Sequence, residues 1–409
     1  MGALAANQNV FIGRQPVFNN NLGVIAYEFL FRSAAQKYTD VDLDATSAQV
    51  VMNLLVDMGL DRLSAGRDVY INVSETLLHK ILSLPVEPSK LIIEIPEGLP
   101  VNEENLVTIK ELSARGARIA LDDFVFRTEL FDLLTLAHIV KIDTNTLDER
   151  SVKRLLKAFK KARVKTLAKN VIDIDQYREL QQLGFDYYQG NMLGKPRVFK
   201  TKTLAPNRLS VLRLLATLYN PNTQVEEIVN IINQDVNLSY KLLKIVNCAF
   251  FGLPKKIDSL QQAVVILGRN EMTSWASLMA MSNLDDRPTE LMRVALIRAK
   301  ACELLGLKTG NKSASEYFTA GMFSALDVLM ERPLDVLLDG LPLSSSIKRA
   351  LLCQTGPLGA AIKCAIAYEE ARFTEAGFES LPTWEITDAN LRAMQWATDV
   401  MDALLLMKT

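Results

Sequence analysis

Between about residues 9 and 196, short β-type runs alternate with helix-type runs, and this alternation constrains the fold more than any other feature of the chain. VFIGRQPVF and VIAYEFLF read as strands separated by the turn-like NNNLG; a helical pattern from Ser47 to Gly59 and a strand from Val69 to Val73 follow. The series continues with strand Leu91 to Ile95, helix Glu103 to Ala114, strand RIALDDF and strand His138 to Asp143. Helix Glu149 to Ala162, strand VKTLAKN, helix Ile174 to Leu183 and a last strand near DYYQGN complete it. Repeated βα units cover both faces of a sheet with helices and predict parallel strands. About eight such strands predict a closed (β/α) barrel.

The strand ends carry the chemistry. Read to its C-terminal end, each strand delivers a polar residue: Glu28, Asn72, Glu94 with Glu97, Asp122 with Asp123, Lys141 with Asp143, Lys169, and Gln189. In a (β/α) barrel these ends converge on one rim, where active sites lie. One aspartate after a strand is most simply a helix cap. Acids and an amide from four strands form a set of hard oxygen donors suited to Mg²⁺, Mn²⁺ or Ca²⁺.

At 409 residues the chain is too long for one ordinary core, so two domains are expected. KPRVFKTKTLAPN, around 195 to 207, reads as a linker, and beyond it helical periodicity dominates. The expected domains are therefore residues 1–200 and 201–409. Thr223 with Glu226 forms an expected capping box in the second. A formal net charge of -1 gives no global attraction to nucleic acid or anionic lipid, so no direct nucleic-acid or membrane binding is expected. The N-terminus has neither a basic leader nor a long apolar run, and no uncharged apolar run reaches membrane-span length. Cys248, Cys302, Cys353 and Cys364 lack metal-site spacing and are expected to be reduced core residues of a cytoplasmic protein. Basic KRLLKAFKKARVK is expected to be an outer barrel helix burying Leu155, Leu156, Phe159 and Ala162. Neither His79 nor His138 is assigned a catalytic role.

RQPVF, YEFLFR, NVS, IIEIPE, LDDF, VKID and QGNMLGKP, in that order, resemble the motifs of an EAL domain. That family uses a modified (β/α)8 TIM-like barrel to hydrolyse the bacterial second messenger cyclic di-GMP to linear pGpG. The resemblance implies Glu28, Asn72, Glu94 and Asp122 as ligands of one metal and Asp123 as a ligand of a second. It also implies Arg32 as a phosphate contact, Lys141 as the lysine beside the attacking water, and Gln189 as a substrate-binding glutamine. Two metals would activate water for in-line attack.

Two departures stand against turnover. The family's A-E-G-V-E on strand six appears here as AKNVI, so Lys169 replaces the glutamate usually assigned as general base or second-metal ligand, and Lys141 becomes vestigial. An ammonium repels a cation: two unit charges in contact near a protein surface interact by about 4 kcal/mol, a weakening of Mg²⁺ or Mn²⁺ binding by roughly a thousandfold. Lys169 is expected to pair with Asp122, Asp123 or Glu94 instead. The family's Gly-Thr-Gly loop after LDDF is replaced by Val125-Phe126-Arg127.

In the second half, Asp235, the helix ending at Asn247, Phe250-Phe251-Gly252 and Leu267-Gly268 resemble the landmarks of an HDOD domain. HDOD domains share the helical frame of HD phosphohydrolases without their metal-binding histidines, and no histidine occurs here beyond His138. The resemblance implies an all-helical protein-interaction module, with Trp275, Met279 and Met281 in its core. The whole reads as a signal-transduction protein of the cyclic di-GMP network whose EAL domain has a degenerate active site. The alternative is a working phosphodiesterase in which Asp173 or Glu129 supplies the missing carboxylate.

Overall fold

The computed structural model describes residues 10–33, 63–82, 87–123, 131–190 and 206–405, except 221, 235–237, 240–241, 244–245, 248–256, 258, 283–288, 312 and 331. The chain divides into two compact units. The first comprises residues 1–195 with 367–377 and 382–387; the second comprises 196–366, 378–381 and 388–409. The boundary expected at 200/201, the helix expected at Ser47 to Gly59, and the loop Val125-Phe126-Arg127 all lie outside the described residues.

The first unit is a closed eight-stranded barrel with strands in sequence order. They are β1 (Val10–Phe18), β2 (Val24–Ser33), β3 (Asp68–Asn72), β4 (Leu91–Ile95), β5 (Arg118–Leu121), β6 (Ile139–Asp143), β7 (Lys165–Lys169) and β8 (Tyr187–Gln189). Neighbours from β2 to β8 pair in parallel, whereas β1 is antiparallel to both β2 and β8. The reason lies in the NNNLG stretch: Asn19 Oδ1 accepts from the backbone N–H groups of Asn21 and Gly23 at 2.9 Å each, closing a hairpin where a βα crossover would need a dozen or more residues.

Helices α1 (Glu75–Ile81), α2 (Glu103–Ala114), α3 (Phe131–Leu136), α4 (Glu149–Ala162) and α5 (Ile174–Leu183) connect the strands. Their starts are set locally: Ser74, Asn102, Asp148 and Asp173 each accept a backbone N–H of the first turn. The basic helix α4 buries Val152, Leu156 and Phe159, at helical spacing. Ala162 is exposed, because the last turn carries Lys160 and Lys161 into solvent. His79 is bound to Thr108 (3.1 Å), and His138 Nδ1 accepts from the Ile119 backbone (3.2 Å); both are structural.

The second unit contains α6 (Pro206–Leu218), α7 (Val225–Gln234), α8 (Leu260–Ser282), α9 (Thr289–Lys308), α10 (Ala314–Phe323), α11 (Leu326–Met330), α12 (Leu334–Asp339), α13 (Ser345–Cys353) and most of α14 (Gly356–Glu369) and α15 (Thr383–Leu405). Trp275, Met279 and Met281 are buried, and Trp275 and Phe318 both pack against Trp396, with centroids 5.7 and 5.9 Å apart. Helix α8 is broken at Gly268, whose φ of 81° and ψ of 166° interrupt the helix at the expected Leu267-Gly268 landmark. Thr223 does not cap α7; its hydroxyl turns back to donate to the Thr217 carbonyl (3.1 Å). Cys302 and Cys364 are buried, and burial pushes the Cys364 thiol up to about 12. Cys353 is exposed instead, because the buried stripe of α13 is Ile347, Ala350 and Leu351. Among the described residues, one stretch, Ser345–Glu369, is long and apolar enough to cross a membrane by length and composition. Half of it is buried inside the protein, and the left-handed Gln354 (φ 51°) divides it into α13 and α14.

Asn247, the landmark at the end of an expected helix, has a clear mechanical role. Its amide donates to the carbonyls of Leu243 (2.8 Å) and Ile257 (2.7 Å) and accepts from the Ile257 backbone N–H (2.7 Å). Ile257 is buried. Asn247→Ala is expected to leave its backbone unpaired and cost about 2 kcal/mol, read as a lower urea midpoint.

Candidate functional site

Strand alternation builds the rim. Val17, Ala26, Tyr70, Ile92, Ala120, Ile139 and Leu167, one from each of β1 to β7, form a buried apolar cluster against which Tyr187 of β8 packs. Side chains two positions apart on a strand share a face. One step from that layer toward the rim therefore reaches Gln15, Glu28, Asn72, Glu94, Asp122, Lys141, Lys169 and Gln189, one polar residue per strand or strand end. They sit around a cavity of about 720 Å³, lined by Gln15, Glu28, Asn72, Asp122, Lys169 and Gln189, with Glu97 and Asp143 nearby and Phe373 on one side.

Two lysines organise the carboxylates. Lys141 is 1% exposed; its ammonium donates to Glu28 Oε2 (2.7 Å) and closely to Glu94 Oε1. Burial pushes the Lys141 ammonium down, but Glu28, Glu94 and Asp122 outweigh it, so its pKa stands well above the ordinary lysine value. The Tyr70 ring lies 5.7 Å from Nζ, and burial keeps the Tyr70 phenol neutral. Glu28 Oε2 also accepts from Gln189 Nε2 (2.5 Å), which in turn reaches Gln15 (3.1 Å).

Lys169 forms the second bridge, donating to Asp122 Oδ1 (2.6 Å) and Asp123 Oδ1 (2.9 Å). Of the partners expected for it, the two aspartates take the ammonium, while Glu94 is held by Lys141. Burial pushes Lys169 down and Asp122 pushes it further up, for a net raised pKa. Burial also opposes ionisation of Asp122, yet Lys141 and Lys169 together hold it below the usual carboxylate range. Glu94 goes the other way: full burial, then the adjacent Glu28 charge, raise it well above normal. Its Oε2 is buried with no hydrogen-bond donor.

Around the bridge the backbone is unusual. Asp123 (φ 43°) and Asn170 (φ 56°) are both left-handed, a conformation that short polar side chains tolerate. Asn170 Nδ2 donates to Asp143 Oδ2 (2.8 Å). Gly190, after Gln189, presses onto β7's continuation: an added Cβ would lie 2.3 Å from the Val171 nitrogen.

The expected metal ligands Glu28, Asn72, Glu94, Asp122 and Asp123 thus share one rim, but their oxygens do not fit a two-cation centre. Two ammoniums against four carboxylates leave a charge of -2 at most, where a glutamate at 169 would leave -4 for two divalent ions to balance. Among the described residues, no group of three or more His, Cys, Asp or Glu is arranged to hold a metal. Asp173 is committed to capping α5 through Asp175 and Gln176, and Glu129 and the side chain of Arg32 lie outside the described residues. Gln15 was not among the residues read from strand ends, because β1 runs opposite to the other strands. The NNNLG hairpin was the available signal that its rim end is the N-terminal one.

A modified barrel with a first antiparallel strand and an acid-and-lysine rim, in a chain with a second, helical unit, defines the class. An EAL domain family model matches residues 16–196 and an HDOD domain model matches residues 205–330. YuxH, an uncharacterized protein of Bacillus subtilis, is 30% identical over 407 residues, which span 96% of this chain and 99% of YuxH. The cyclic di-GMP phosphodiesterase CdgJ of Vibrio cholerae is 29% identical over 405 residues, 95% of this chain and 93% of CdgJ. A solved structure of the PaMucR phosphodiesterase with c-di-GMP aligns over 46% of this chain and 97% of that one, at 23% identity and a TM-score of 0.38. The chain belongs to the EAL–HDOD family of two-domain bacterial signalling proteins.

Proposed function

We propose that this protein acts in cyclic di-GMP signalling as a receptor that binds the dinucleotide without hydrolysing it, and passes the signal on through protein contacts of its HDOD unit. The observation that carries this reading is Lys169 bridging Asp122 and Asp123 at 2.6 and 2.9 Å. In an active EAL centre those carboxylates would hold the metals that activate water; here an internal cation fills the same oxygens. Mg²⁺ or Mn²⁺ binding is correspondingly weakened, and no hydrolytic step is assigned to a metal.

The rim remains suited to a polar, phosphate-bearing ligand in other respects. Its cavity lies within the ~300–1,000 Å³ range of small-molecule sites, and Gln15, Asn72 and Gln189 present amides at its wall. Arg32 on β2 is the proposed phosphate contact, a role that suits a planar, permanently charged fork. Lys141 serves as a positioning residue that holds Glu28 and Glu94 apart. The HDOD unit, without histidines to ligate a metal, is proposed as the interaction module of a cytoplasmic protein.

The competing reading, an active phosphodiesterase, is favoured by the name and near full-length match of CdgJ. Incubation of the purified protein with cyclic di-GMP and Mg²⁺ or Mn²⁺ decides between them. No pGpG is expected, and turnover comparable to that of an intact EAL enzyme would overturn the receptor reading. Calorimetric titration with cyclic di-GMP in EDTA is expected to show binding; its absence would leave the barrel a scaffold.

A further inference from the structure

We propose that the helical unit contains a second, independent small-molecule site, for an uncharged ligand of purine-nucleoside type. Between α6, α8, α10 and the start of α13 lies a cleft of about 570 Å³, within the size range of ligand pockets. This proposal does not rest on the barrel's function.

The cleft has two kinds of wall. Leu218, Leu343 and Ile347 offer an apolar face on which a flat ring can lie. Thr273, Ser274 and Thr319 add a floor of buried hydroxyl residues, each no more than 6% exposed. Tyr219 Oη lies 3.5 Å from Thr319 Oγ1 at the same floor. One floor group has no partner: Thr273 Oγ1 is buried without any hydrogen bond, although its residue lines the cleft. A buried hydroxyl left unpaired is costly, and a ligand hydroxyl or ring nitrogen would satisfy it.

The charged groups give the cleft no net positive charge to attract an anion. Arg269 lines the cleft, but Nη1 donates to the Thr223 carbonyl (2.6 Å) and Nη2 to the Asn220 carbonyl (2.7 Å). Both ends of its guanidinium fork are thereby committed to backbone. Glu316 lines the same cleft and makes no ion pair among the described residues, leaving a carboxylate to accept N–H groups. A phosphate would be repelled by Glu316, and the Arg269 guanidinium, held by two neutral carbonyls, offsets that charge without turning its bonded N–H groups to the ligand. A neutral heterocycle with an N–H edge, carrying a sugar with hydroxyls, matches the apolar wall, the carboxylate and the hydroxyl floor together.

The test uses the full chain and isothermal titration with guanosine and adenosine. At least one is expected to bind at submillimolar concentration, and the matching 5′-monophosphate is expected to bind no more tightly. Thr273→Val, which preserves shape, should weaken binding about tenfold while leaving the unliganded protein as stable or more so. Glu316→Gln should weaken it too. Lys169→Glu, on the barrel rim, should leave it unchanged. Absence of binding by both nucleosides at millimolar concentration overturns the proposal. So does wild-type affinity in Thr273→Val, preference for the monophosphate, or loss of binding in Lys169→Glu.

Discussion

Lys169→Glu is expected to tighten Mn²⁺ binding by at least roughly a thousandfold. The substitution removes the ammonium that occupies Asp122 and Asp123 and places a fifth carboxylate on the rim. Each unit charge in contact with a cation near a protein surface contributes about 4 kcal/mol, and about 4 kcal/mol is a factor of roughly a thousand. Electron paramagnetic titration of free Mn²⁺ reads the change directly. Lys169→Met, which empties the bridge without adding an acid, should fall between the two. Unchanged Mn²⁺ affinity in both variants would refute the view that this lysine displaces the metal. Hydrolysis is not expected to return in Lys169→Glu, because Val125-Phe126-Arg127 still replaces the glycine loop of the family.

Lys141→Met is expected to destabilise the barrel by about 3–5 kcal/mol, the usual consequence of removing one partner of a buried charge pair. Glu28 and Glu94, 6% and 0% exposed, would be left facing each other without a cation. Urea unfolding measures the loss, and a change below about 1 kcal/mol would refute the role of Lys141 as the cation that holds them. The pH dependence has a definite sign. Glu94 has a raised pKa in the folded protein, so its contribution is most favourable below the unfolded value of about 4.3 and is lost as pH rises through the folded value. Without Lys141 that loss is uncompensated, and the variant should regain stability as pH falls from 8 to about 5. Asp122 works in the opposite direction and in another window. Its depressed pKa stabilises the fold above about 3.9, and that contribution disappears only as pH falls through its folded value. Wild-type acid unfolding should therefore begin below about pH 4 from this pair, and Lys169→Met should blunt it.

Much of the barrel was legible from periodicity. The helices over Glu103–Ala114, Glu149–Ala162 and Ile174–Leu183 and strand Leu91–Ile95 follow the sequence reading because capping side chains and apolar runs act over a few residues. The rim set was also readable, since strand alternation places every second residue on one face. Gln15 was missed where strand direction reverses. The exposure of Cys353 and the hydroxyl of Thr223 turning to Thr217 were missed because each depends on which face a neighbour covers.

The sequence by itself determined the inventory: eight strands, a lysine where a second-metal carboxylate stands in the EAL pattern, and a helical half without histidine. Local preferences and residue identity suffice for that. Only the tertiary structure decided how the charges are shared, with Lys141 taking Glu28 and Glu94 and Lys169 taking Asp122 and Asp123. Those pairs join residues 46 to 113 positions apart, brought together by barrel closure. An ionic contact is set by distance and burial in three dimensions, and neither is encoded in the spacing of the chain.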